Sequence, residues 1–160
     1  MLIHAFDDRE GLRIAMEMER RGEDFYRRCA CVSKNPRTVE TLLQLASDES
    51  AHRAEFQRMR EAIADGEAYD QETNAYLSAI AAEVVFPEGL MAMKRQGFDS
   101  PKAALMEAIQ SEKDSILFYG ELAKQARDQR AREVFQEIIR QEMGHMRILQ
   151  TRLADIVSEG

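Results

Sequence analysis

The chain has 160 residues and a mass of 18.3 kDa, with 44% apolar and 32% charged residues, the proportions of one soluble globular domain able to bury roughly 70% of its unfolded surface. Three prolines and eight glycines are too few for a turn-rich all-β fold or a low-complexity chain, and no apolar run approaches the roughly 20 residues that a membrane helix needs. A net charge of −7 and a pI near 5.1 argue against nucleic acid as a partner.

Four segments carry helical periodicity. The first opens after Asp7 or Asp8, either of which is a suitable N-cap. Its apolar stripe runs Leu12, Ala15, Met16, Tyr26, Cys29 and Ala30, and it stops at Ser33-Lys34-Asn35-Pro36. There Asn35 can cap a second helix with Pro36 at its first position. That stripe is Leu42, Leu45, Ala46, Phe56, Met59 and Ile63, ending near Asp65-Gly66. In the next stretch Ala75 to Val85 reads as a helix, Phe86-Pro87-Glu88-Gly89 breaks it, and Leu90 to Arg95 reads as a short turn closed by Gly97. So long a connection suits a crossover that runs the length of a bundle. Ser100-Pro101 then starts a helix with the stripe Leu105, Ala108, Ile109, Tyr119, Leu122 and Ala123. Asp128 can cap the last, whose stripe is Phe135, Ile138, Ile139, Leu149, Leu153 and Ile156.

The two helical pairs are copies of one another. Displaced by 93 residues, Leu12 falls on Leu105, Ala15 on Ala108, Glu19 on Glu112, Phe25-Tyr26 on Phe118-Tyr119, Glu49 on Glu142 and His52 on His145, without a gap. The expected fold is all-α: a four-helix bundle made of two repeated helical hairpins joined by a long crossover. As a single domain it divides into hairpin one over about 8–66, the crossover over about 67–100 and hairpin two over about 101–158. Two such hairpins tend to pack about a pseudo-twofold axis, which brings each residue near the axis and its copy to one centre.

Charged residues interrupt the apolar stripes. Glu19 and Glu112 stand on the buried lines of the first and third helices. Glu49 with His52, and Glu142 with His145, stand on those of the second and fourth. Glu is almost never fully buried unless paired, and an isolated buried carboxylate takes up a proton instead. Metal removes the difficulty. Four carboxylates match the charge of two divalent ions, and Glu-x-x-His sets its two side chains about 60° apart on one helix face. Mixed carboxylate and imidazole donors suit iron or manganese, and without Cys among them a structural zinc site is disfavoured. Glu fills 19 of 160 positions, so one His with a Glu three residues earlier means little. Two of the three His show it, at the repeat offset.

On these motifs the chain resembles the rubrerythrin-like branch of the ferritin-like superfamily. The resemblance rests on Glu19-Arg-Arg-Gly-Glu-Asp-Phe-Tyr26, Glu49-Ser-Ala-His52, Glu112-Lys-Asp-Ser-Ile-Leu-Phe-Tyr119 and Glu142-Met-Gly-His145. It covers both hairpins and matches a known ligand pattern, a Glu from each of two helices and Glu-x-x-His from each of two others. It implies a ferritin-like fold and two iron ions, with manganese as the alternative. Glu19 and Glu112 would bind one ion each, Glu49 and Glu142 would bridge, and His52 and His145 would cap one ion each. All six would act in catalysis through the metals. The implied activity couples iron oxidation to the reduction of oxygen or peroxide. Two features depart from rubrerythrins proper. The chain has Cys29-Ala-Cys31 rather than the two Cys-x-x-Cys pairs of a rubredoxin-like module, so a separate electron donor is expected. Ser115, with Gly22 as its repeat mate, stands where a further carboxylate is usual. These small residues are expected to leave open space beside the metals.

Tyr26 and Tyr119 lie seven residues beyond Glu19 and Glu112 on the same faces, where their hydroxyls can hold a ligand carboxylate. Cys29 and Cys31 point about 200° apart on a helix and cannot share a metal there. Two cysteines and no export signal suggest a reducing cytoplasm. Met16, Met59 and Met106 suit core filling, and His4 has no Glu at helical spacing. Three functions stay open: a di-iron oxidoreductase with a separate donor, expected as a homodimer; an iron-binding ferroxidase for storage or detoxification, which needs a closed many-subunit shell; and a dimeric interaction module with structural or absent metal.

Overall fold

A computed structural model describes residues 3–85 and 100–159, with side chains to residue 156. Among the described residues there are six helices and no strand. They are α1 (Asp8–Val32), α2 (Pro36–Ala62), α3 (Gln71–Ile80), α4 (Ala82–Val85), α5 (Pro101–Gln125) and α6 (Gln129–Glu159). None is long and apolar enough to cross a membrane. The expected break at Phe86–Gly89, the turn at Leu90–Arg95 and Gly97 lie outside the described residues.

Local chemistry sets the helix ends. The Asp7 carboxylate accepts from Glu10 N, Asn35 from Arg37 N and Thr38 N, Ser100 from Ala103 N, and Asp128 from Arg130 N and Ala131 N. Each occupies amides that lack a partner in a helix's first turn. Pro36 and Pro101 fill first-turn positions where no amide is needed.

The apolar core has two parts. One holds Leu12, Ala15, Phe56, Phe118, Tyr119, Leu122, Phe135 and Ile138; the other holds Tyr26, Ala30, Leu42, Leu45, Leu105, Ala108 and Leu149. On every long helix the stripe passes from one part to the other across a Glu or a Glu-x-x-His. The chain order of the two parts reverses between α1 and α2, between α5 and α6, and between α1 and α5, so each of these pairs is antiparallel. α1 packs on α5 and α2 on α6 across the hairpins. Gly11 makes room for the Leu122 side chain of α5, since a Cβ there would lie 2.6 Å from Leu122 Cδ2.

The crossover differs from expectation at its start. The helix there begins at Gln71, because the Asp70 carboxylate accepts from Thr73 N at 2.7 Å. Its first turn, Gln71 to Asn74, is polar, so apolar periodicity does not mark it before Ala75. Leu77, Ala81 and Tyr69 join the core, and the segment before α1 is tied along α3 by Phe6 N to Asn74 Oδ1 and Tyr69 N to Phe6 O. Met106 is 53% exposed rather than core, because it projects to the side of the stripe through Leu105, Ala108 and Ile109.

Candidate metal centre

The layer between the two apolar parts contains Glu19, Glu49, His52, Glu112, Glu142 and His145, all buried. They come from the middles of α1, α2, α5 and α6, where i to i+3 spacing turns each Glu-x-x-His toward the bundle axis. Their donor atoms gather into two sets, each within 4.8 Å: Glu19, Glu49, His52 and Glu142; and Glu49, Glu112, Glu142 and His145. Glu49 and Glu142 belong to both.

The contacts are close. His52 Nδ1 lies 2.6 Å from Glu142 Oε1 and 3.5 Å from Glu19 Oε2. His145 Nδ1 lies 3.0 Å from Glu49 Oε1 and 3.5 Å from Glu112 Oε1. Yet seven inward-facing atoms make no hydrogen bond: Glu19 Oε2, Glu49 Oε1, His52 Nδ1, Glu112 Oε2, both oxygens of Glu142 and His145 Nδ1. Buried polar atoms are seldom left so. These converge without pointing along one another's hydrogen-bond directions, which is the geometry of donors aimed at shared points.

The outward-facing atoms are tied down. The Tyr26 hydroxyl donates to Glu112 Oε1 at 2.5 Å, and the Tyr119 hydroxyl to Glu19 Oε1 at 2.8 Å. Each tyrosine thus holds the carboxylate of the opposite hairpin, because α1 and α5 run antiparallel. His52 Nε2 meets Gln141 Oε1 at 2.7 Å, and His145 Nε2 meets Asp48 Oδ2 at 3.1 Å. The apolar stripes do not mark Asp48 and Gln141, which lie off them. The available signal was their register: each directly precedes the Glu of a Glu-x-x-His, and they are repeat mates.

Gly22 leaves no open space. A Cβ there would lie 2.8 Å from Glu49 Oε2, so the Glu49 carboxylate occupies the room that its missing side chain provides. Its repeat mate Ser115 is buried. Cys29 is buried and Cys31 exposed, and His4 pairs with Glu10 at 3.2 Å; none of the three belongs to either set.

In the metal-free protein the charges compete. Burial, then the carboxylates of Glu19, Glu142 and Glu112, pushes Glu49 well above the usual range. Burial, then Glu142, pushes Glu112 up to about 8. Burial, then the Glu19 carboxylate, works to raise Glu142, but the nearby Glu112 carboxyl and the His145 and His52 imidazoles outweigh them and hold this carboxyl below its ordinary value. Burial acts to lower both imidazoles. Carboxylate contacts overcome it, raising His52 to about 11 through Glu142 and Glu19, and His145 to about 10 through Glu112 and Glu142. Burial, with neighbouring carboxylates, lifts Tyr26 and Tyr119 well above 10.0, so both hydroxyls remain donors.

The rubrerythrin family model matches residues 10–103 and 103–159. No curated protein matches the sequence. Among solved structures, the chain is similar to a Thermotoga maritima protein described as ferritin-like and diiron-carboxylate. The identity is 28% and the TM-score 0.69, over 94% of this chain and 97% of that one. With the family model spanning both hairpins and the buried carboxylate–imidazole layer, the chain belongs to the rubrerythrin family.

Proposed function

We propose that this chain is a non-haem di-iron oxidoreductase that couples iron oxidation to the reduction of oxygen or peroxide. The observation that carries the proposal is the set of seven buried donor atoms without hydrogen bonds, arranged as two groups that share Glu49 and Glu142. The donor chemistry fits, since carboxylate oxygen and imidazole nitrogen suit iron or manganese and four carboxylates match two divalent charges.

Bound there, two irons would supply the electrons that reduce the oxidant. The chain's own residues divide the remaining work. Glu19 and Glu112 each have one oxygen fixed by a tyrosine hydroxyl, so the other, Oε2, is held toward the centre. Asp48 and Gln141 occupy the Nε2 atoms of His145 and His52, so both rings present Nδ1 inward. Glu49 and Glu142 stand between the two sets and would serve both ions. The protons held by Glu49, Glu112, His52 and His145 in the metal-free protein must leave on loading, so metal uptake releases protons. The apolar parts on either side shield the layer from water. A separate donor supplies electrons for repeated turnover in this reading.

The test is anaerobic loading with Fe²⁺, elemental analysis, then stopped-flow mixing with oxygen and with peroxide. The account expects about two irons per chain and one fast rise of ferric absorbance, followed by a stall until a reductant is added. Neither oxidant producing a ferric band would refute the redox reading.

A further inference from the structure

The two sets are closely matched. Each contains Glu49 and Glu142, one further Glu held by a tyrosine, and one His. Gly22 touches Glu49, which belongs to both sets, so it does not distinguish them. The difference lies behind the imidazoles.

Behind His145 stands a carboxylate with an amide beyond it: His145 Nε2 meets Asp48 Oδ2 at 3.1 Å, and Gln44 Nε2 donates to Asp48 Oδ1 at 2.9 Å. Behind His52 the order is exchanged. His52 Nε2 meets Gln141 Oε1 at 2.7 Å, and Gln141 Nε2 donates to Glu137 Oε1 at 3.2 Å. Gln44 and Glu137 are repeat mates, as are Asp48 and Gln141, so the exchange breaks the pseudo-twofold symmetry at two positions together. The Glu137 charge is also spent on Arg140, whose Nε lies 3.0 Å from it. The amide contact at Glu137 fixes which way Gln141 faces, so its oxygen is the atom that meets His52.

A carboxylate accepting from Nε2–H draws that proton more strongly than a neutral amide does. Electron density on the far ring nitrogen rises with it, and that nitrogen, Nδ1, faces the donor cluster. Partners of this kind change metal affinity by about 10–100-fold.

We propose that Asp48 and Gln141 make the two metal positions unequal, so that the position containing His145 fills first and holds its ion more tightly than the position containing His52. The inference rests on the dinuclear reading above. Asp48 and Gln141 are positioning residues in it: they act through the imidazoles.

The test is titration of ¹⁵N-histidine-labelled, metal-free protein with Zn²⁺, a diamagnetic probe for the same nitrogen and oxygen donors, read by NMR at each imidazole nitrogen. In the unaltered protein the His145 Nδ1 signal should move with the first equivalent and that of His52 with the second. Asp48→Asn should weaken filling at His145 by about 10–100-fold, so that His52 no longer lags. Gln141→Glu should strengthen the His52 position and remove the order from the other side. Both ions binding in the same order in all three proteins, or both imidazoles filling together in the unaltered one, would overturn the inference while leaving the dinuclear reading intact. Neither imidazole moving with Zn²⁺ in a protein that keeps its helical spectrum would overturn the dinuclear reading and this inference with it.

Discussion

At the scale of single residues, the centre places ionisable groups where each decides its neighbours' charge. Four of them bind more protons in the folded, metal-free protein than in the unfolded chain. Glu49 and Glu112 are acids with raised values, and His52 and His145 are bases with raised values. For all four the added stability is present at low pH and is lost as pH rises through the folded value. Glu142, held low, acts oppositely: its contribution is lost as pH falls from 4.5 through its folded value. Thermal melts of chelator-treated protein should therefore show stability falling from about pH 5 to about pH 11, the value to which His52 is raised. Fe²⁺ or Mn²⁺ should reverse the trend, because metal displaces those protons and binds only the folded state. Gly22 gives a second expectation. Alanine is a better helix former by about 1 kcal/mol, and the atom that it would crowd is the end of a flexible side chain. Gly22→Ala should therefore leave metal-free stability nearly unchanged in denaturant melts. By displacing the Glu49 carboxylate it should weaken metal binding by about tenfold or more in a titration.

At the scale of elements, one carboxylate ties three of them together. Asp8 accepts from the Tyr69 hydroxyl, from Arg127 N at 3.0 Å and from Asp128 N at 2.9 Å. It thereby joins the start of α1 to the crossover and to the turn between α5 and α6. Asp8→Ala would leave that hydroxyl and two amides without their acceptor. It should cost about 1–3 kcal/mol per group left buried and unpaired, measured as a lower denaturant midpoint with an unchanged slope. The four long helices were legible from their stripes, from the prolines at their first turns and from the caps Asn35, Ser100 and Asp128. The sequence leaves the first cap open between Asp7 and Asp8; the backbone geometry assigns it to Asp7 and frees Asp8 for the three-way tie. The start of α3 escaped notice because its first turn is polar and only the Asp70 cap marks it. Arg152 is buried as well, at 7% exposure, bonded to Thr38 Oγ1 and Asp155. Its place in the stripe of α6 was hidden by the apolar Leu153 beside it. Asp48 and Gln141 went unread because periodicity reports which residues face the axis, and these two reach the centre from beside it.

At the scale of the whole molecule, the repeat turns one ordinary motif into a site. A single hairpin offers one Glu and one Glu-x-x-His, and its buried charges would lack partners. Two hairpins packed antiparallel place Glu49 and Glu142 between two sets of donors, each set completed by both halves of the chain. The six positions were legible as one buried cluster because charged residues on a buried stripe are rare without a partner. Their crosswise support by Tyr26 and Tyr119 depends on packing that no single helix encodes. Because Glu49 and Glu142 belong to both sets, Glu142→Ala should lose more iron than Glu19→Ala when both are loaded alike and analysed for metal. The sharing of Glu49 and Glu142 is tested most directly by anomalous diffraction at the iron edge from crystals of the Fe²⁺-loaded protein. The account predicts two iron peaks per chain, one beside Glu19 and His52 and one beside Glu112 and His145, with the Glu49 and Glu142 carboxylates between them. A single peak, or iron found only outside this layer, would contradict it.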